Sequence, residues 1–292
     1  MTFTIPSVPH NQTGYERLFN LWREVRAAPL EDVAFSFQGC TFLGPEAVAF
    51  LGGMARQIEA NGHSVTFLWD TLYPAIRSNL IQNGFLNSFG SPRKPKAGNS
   101  VPFREDRIQE PVGYVRYLDT LWLGKNWVRV SEALRSAVTS RLGEIYINVF
   151  DHAQSGVGLF CCGQHFPKMH HLRLAMVDFG VGIPNNVRRY SEKTFNIPPS
   201  HLPAKNCLEW AFKKGTSTRP GGRGLGLDLI NSFVQVNNGK MEMFSHEGYV
   251  RASREGLFFD SRNIYFEGTM VSILLKCDGR SYKLASESDP IF

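Results

Sequence analysis

The chain predicts an α/β fold: a small α/β domain followed by an α/β sandwich in which helices cover a mixed sheet. Two patterns carry this expectation. Residues 1–90 alternate strand, helix, strand, helix with short connections, whereas the second half runs helix, strand pair, long polar segment, helix and several strands. Regular alternation suits a compact α/β unit, and the irregular order that follows favours a sandwich over a doubly wound sheet. A third observation sets the scale. At 292 residues, with 42% hydrophobic and 20% charged side chains, the chain can build one large or two modest cores.

In the first unit, Tyr15, Leu18, Phe19, Trp22 and Val25 recur at helical spacing across residues 13–28. Residues 32–37 read as a strand. Pro45 opens a helix whose apolar face includes Val48, Leu51 and Ile58, and Asn61-Gly62 stops it. Residues 64–69 form a second strand, and residues 73–82 a helix closed by Asn83-Gly84. Residues 91–111 hold four prolines and one glycine with little periodicity, so they read as a linker. The predicted division is therefore 1–90, a linker at 91–111, and 112–292.

Beyond the linker, residues 114–123 read as a helix, and a longer one starts at Ser131 and holds its period to about His152. Strands follow at 157–162 and 172–178. Residues 185–220 are polar, with one helix at 205–212, and residues 224–236 are helical. The end reads as three strands, 241–244, 256–260 and 269–276.

Composition narrows the function classes. No apolar run reaches the roughly 18 residues a membrane span needs. The start lacks the basic-then-apolar pattern of a secretory leader. Five cysteines without framework spacing fit a reducing compartment, so a cytoplasmic location is expected. The net charge of +6 is mild, and the aromatic residues fall at core spacing, so nucleic acid is not indicated. Cys161, Cys162, His165, His170 and His171 cluster in sequence. Adjacent cysteines point to opposite faces of a strand, though, and the spacing matches no common zinc motif.

Four short blocks carry the chemistry. In the first, Glu144 and Asn148 lie one helical turn apart, and Asp151 and His152 extend the polar stretch. A carboxylate there can accept a proton from an attacking hydroxyl, and an amide oxygen can hold Mg²⁺ beside phosphates. In the second, Asp178 ends a strand, where it can accept a hydrogen bond from an exocyclic amino group such as that of adenine. Gly180 and Gly182 permit close backbone approach. The third packs Gly221, Gly222, Arg223, Gly224, Leu225 and Gly226 before a helix, where exposed N–H groups cradle phosphates. Lys213, Lys214, Arg219 and Arg223 can offset phosphate charge. No Gly-Lys-Ser/Thr follows, so this is not a Walker A loop. In the fourth, Gly268 leaves room beside a ligand, and the Thr269 hydroxyl can reach the base or a bridging water.

These blocks, in this order, resemble the GHKL ATPases: gyrase B subunits, ninety-kilodalton heat-shock chaperones, histidine kinases and MutL. The resemblance covers about residues 130–276. It implies ATP and Mg²⁺ as cofactors, with Glu144 as general base, Asn148 as the metal ligand and Asp178 as adenine reader. Gly180, Gly182, Gly222, Gly224 and Gly226 would line the lid and phosphate site, and Thr269 would assist at the base. Residues 185–220 would be a mobile ATP lid.

Histidine kinases usually carry His where Glu144 stands, and no phospho-acceptor helix pair precedes it. His152 looks like the anti-sigma serine kinases, and Asp151 like the gyrase branch. Residues 32–84 also resemble a STAS domain, through Gly39-Cys-Thr-Phe-Leu-Gly-Pro45-Glu-Ala. Gly44-Pro45 stand where that family often bears Asp-Ser, so phosphorylation at that place is not expected. The function implied is slow Mg²⁺-dependent ATP hydrolysis that switches contacts with a protein partner or a second protomer. Two alternatives stay open: a serine/threonine kinase acting on a separate STAS-like partner, and a non-catalytic, nucleotide-regulated interaction module.

Overall fold

A computed structural model describes residues 1–29, 31–213 and 227–287. The fold is α/β, with helices packed on sheets. It begins with β1 (Thr2–Thr4), α1 (Gln12–Ala27), β2 (Val33–Ser36), α2 (Pro45–Ala60) and β3 (Val65–Leu68). The three strands form a parallel sheet in the order β1-β2-β3. α1 starts where the Asn11 side chain accepts the Gly14 N–H, and α2 starts with Pro45 in its first turn. Two short helices follow, α3 (Pro74–Gln82) and α4 (Phe85–Ser88), separated by Gly84 at φ 83°.

The segment read as a linker holds β4 (Ser100–Asp106), which pairs antiparallel with a later strand at the edge of a five-stranded sheet. Pro102 hid it. A proline within a strand argues against a central position but is tolerated at an edge or a bulge, and here the register shift between Val101 and Arg104 sends Val101 and Phe103 to different cores. Next come α5 (Pro111–Tyr117), β5 (Arg129–Val130) and α6 (Glu132–Asn148), the last capped by the Ser131 hydroxyl accepting the Leu134 N–H. α6 ends four residues before the predicted His152, in a wider π-helical turn over Val149–Ala153.

β6 (Leu159–Phe166) and β7 (His171–Asp178) form an antiparallel hairpin. α7 (Gly182–Phe195) and α8 (Ala204–Ala211) occupy much of the stretch expected to be a mobile lid. Within the described residues, then, that stretch is largely helical. α7 was missed because so many of its residues are polar, yet Ile183, Val187 and Tyr190 trace an inner stripe. α9 (Leu227–Val236) leads to β8 (Lys240–Ser253) and β9 (Gly256–Lys276). The two strands expected at 256–260 and 269–276 are one continuous strand, whose polar middle masked its length. β10 (Ser281–Tyr282) pairs with β5.

The large sheet runs β4-β6-β7-β9-β8. Both of its faces are covered, and the period of two sorts side chains between two cores. Leu172, Leu174 and Met176 of β7 join a core with α6 and α9, while Ala175 and Val177 join one with α1 and α2. The adjacent Cys161 and Cys162 of β6 are split between these cores as their alternation requires. α2 is buried almost all round, as a helix held between two sheets must be. Gly52 and Gly53 bring it onto Phe103, Phe160 and Phe179, whose rings a Cβ at either position would strike.

Candidate functional site

The hinge of the site is the end of β7, where register places Asp178 opposite Thr269 of β9 and Leu159 of β6. Two glycines let the chain turn sharply after Asp178. A Cβ on Gly180 would collide with the Ala153 carbonyl, and Gly182 adopts φ 72° as α7 begins. The Val181 N–H donates to that same Ala153 carbonyl at 2.7 Å, which ties the turn to the end of α6. Gly268 is spared a side chain for a different reason than expected. Its missing Cβ admits the Asp178 carbonyl of the neighbouring strand rather than a ligand.

These contacts frame a cleft between α6, α7, α8 and the sheet. Its walls are mainly apolar, from Ile145, Val149, Met176, Val187, Met243 and Val271. Asn148, His152, Asp178, Asn186 and Thr269 add the polar groups. An apolar slot with a few convergent polar groups is the usual form of a small-molecule site.

Asp178 dominates the electrostatics. It is 3% exposed. Burial pushes its carboxyl up to about 7, although the Gly180 N–H and the Thr269 hydroxyl and N–H pull the other way. The Gly180 N–H donates to Oδ1 at 2.9 Å. A second layer holds the frame: Ser245 donates from Oγ to the Gly268 carbonyl at 2.9 Å and accepts the Ile183 N–H at 3.0 Å. Its hydroxyl also lies 3.3 Å from that of Thr269. At the mouth, the Asn186 amide donates to the His152 carbonyl at 3.0 Å.

Of the residues expected from sequence, Asn148, His152, Asp178, Gly182 and Thr269 line one cleft, and Gly180 shapes its turn. Glu144 does not line it. Its carboxylate accepts Arg141 Nη1 at 2.5 Å on the flank of α6. Asp151 is exposed and off the lining, in the wider π-helical turn that follows Asn148, while His152, one turn on from Asn148, lines the cleft. Lys214, Arg219, Gly221, Gly222, Arg223, Gly224, Leu225 and Gly226 lie outside the described residues. Among the described residues, no three His, Cys, Asp or Glu side chains gather as a metal site, and no helix is long and apolar enough to cross a membrane.

Sequence reasoning missed Asn186, Trp210 and Ser245. Asn186 and Trp210 have a legible signal, since each falls on an amphipathic helix facing the sheet. Ser245 has none, because its role depends on a neighbour 23 residues away across a strand pair. No known protein-family model matches the chain, and no curated protein matches it.

Proposed function

We propose that the chain is an ATP-binding regulatory protein of the GHKL type, acting in the cytoplasm and hydrolysing ATP slowly with Mg²⁺. The observation that carries this reading is Asp178: a buried carboxylate with no cation beside it among the described residues, at an apolar slot that also gathers residues from the first, second and fourth blocks. An uncompensated buried carboxylate calls for a hydrogen-bond donor. The exocyclic amine of adenine is such a donor, and the flat apolar walls suit its ring. Thr269 offers a hydroxyl beside it, and Asn148 and His152 stand where the polyphosphate would leave.

Mg²⁺, held by Asn148 and the phosphates, would neutralise charge on the transferring group. Glu144, on the flank of α6 one turn before Asn148, would deprotonate the attacking water only after parting from Arg141 and turning toward the cleft; breaking that half-exposed pair is a step of small cost. Binding would order the region around α7 and α8 and so change contacts with a protein partner or a second copy of the chain.

Titration calorimetry with ATP, followed by phosphate release, tests this. Glu144→Ala is expected to bind ATP like the parent while turnover falls at least about a hundredfold. Equal turnover removes Glu144 from the chemistry, and no heat on ATP addition removes the nucleotide reading. The Arg141–Glu144 pair favours a second reading, a nucleotide-regulated module without turnover. Bound ATP with neither free phosphate nor labelled protein would select it, and labelled protein would select a serine/threonine kinase.

A further inference from the structure

A second cavity lies between α1 and β9, on the other side of the Glu267–Thr269 segment from the cleft. Its lining includes Phe19, Trp22, Arg23, Arg26, Tyr265 and Glu267. Two guanidinium groups thus face one carboxylate. Glu267 Oε1 accepts both the Trp22 indole N–H at 2.9 Å and Arg26 Nη1 at 2.5 Å. Arg23, one helical turn before Arg26, has no ion-pair partner among the described residues. The Arg26 guanidinium sits 5.7 Å from the centre of the Trp22 ring, and Tyr265 is 54% exposed at the rim.

We propose that this cavity is a binding site for a small organic anion, a carboxylate or phosphate carried on a planar ring. Its head would bridge Arg23 and Arg26, and its ring would lie against Trp22 and Tyr265. Guanidinium pairs bind such heads through paired N–H donors, and aromatic walls accept a flat body at little entropic cost. The anion takes Glu267's place on Arg26 and so frees the Glu267 side chain.

That exchange reaches the cleft through three consecutive residues. The Glu267 carbonyl is packed so closely on Gly182 that a Cβ there would lie 2.5 Å from it, and Thr269 lines the cleft two residues on. Occupancy of the second cavity therefore alters the cleft. This coupling rests on the nucleotide reading, whereas the anion site itself does not.

Phenyl phosphate is the probe, titrated calorimetrically into the full chain with inorganic phosphate as the reference. Saturable binding at least about tenfold tighter than inorganic phosphate is expected. The Arg23→Ala/Arg26→Ala double variant, at exposed positions that do not hold the core, should lose at least about tenfold. Glu267→Gln should tighten binding by removing the competing carboxylate. Absence of saturable heat at millimolar probe, or retention in the double variant, overturns the site. ATP affinity measured with and without saturating phenyl phosphate then reads the coupling, and an unchanged value overturns that part. A chain that binds phenyl phosphate but never ATP refutes the nucleotide reading alone.

Discussion

Glu46 and Asp178 are both buried carboxylates, on opposite faces of one sheet, and they meet opposite fates. Glu46, 1% exposed on α2, faces β7 and β9. Burial alone would raise its carboxyl. His10, Arg173 and Ser272 outweigh that and hold it well below the usual carboxylate range. Arg173 Nη1 donates to its Oε1 at 2.9 Å, Ser272 Oγ donates at 2.6 Å, and His10 Nδ1 lies 2.9 Å from Oε2. Asp178 has hydrogen bonds but, among the described residues, no cation, so burial wins and its carboxyl rises. Arg173 and Asp178 share β7, and its pleat sends one side chain to each face. Equal burial thus marks two different things. A neutralised carboxylate fastens the fold, and one left to hydrogen bonds alone holds its proton more tightly.

The comparison breaks most sharply at Glu46. Glu46→Ala strands Arg173, 6% exposed, without its anion, and should cost about 3–5 kcal/mol in urea denaturation. A cost under about 1 kcal/mol would mean that the cluster holds nothing together. Asp178→Asn should do the reverse to stability, leaving it equal or higher at pH 8, because a strained charge is gone. Calorimetry should show ATP affinity lower by about tenfold or more, the worth of a hydrogen bond to a charged group. Wild-type affinity in that variant would end the adenine assignment.

Acidity sharpens the contrast further. Asp178 has a folded value of about 7 against an ordinary 3.8, so its contribution to stability is full below about 3.8 and lost as pH rises through about 7. Glu46 has a folded value below its ordinary 4.5, so its contribution is full above 4.5 and lost as pH falls through the folded value. Denaturation of the parent and of Asp178→Asn between pH 4 and 8 should therefore differ in slope, with parallel profiles counting against a buried, uncompensated Asp178. ATP affinity should weaken as pH drops below about 7, since a protonated carboxyl no longer accepts as well from the amine. The smallest effect belongs to Arg141→Ala. Its pair with Glu144 is half-exposed, so stability should move by no more than about 0.5 kcal/mol, while turnover rises if the pair restrains the base. A drop in turnover would instead make Arg141 part of the working site.

Much of the fold was legible because it is written in local periods. α1, α2 and α3 fall within a residue or two of their expected bounds, since apolar spacing and Asn-Gly stops act over a few residues. β4 and α7 were not legible, the first for Pro102 in an edge strand and the second for a polar surface. In the site, Asn148, Asp178 and Thr269 were readable as residue types suited to one ligand. The exclusion of Glu144 and Asp151 was not readable, because a π-helical turn and an ion pair decide which side chains face inward.

By itself, then, the sequence determined the α/β class, the helix and strand periods, and the polar residue types, Asn148, Asp178 and Thr269, that meet at the cleft. Only the tertiary structure decided which buried carboxylate is neutralised. Glu46 finds Arg173 and Ser272 across separations of 127 and 226 residues, and Asp178 finds no cation among the described residues. Periodicity is a property of neighbours along the chain, whereas the charge state of a buried acid is set by strand register and close packing between distant segments.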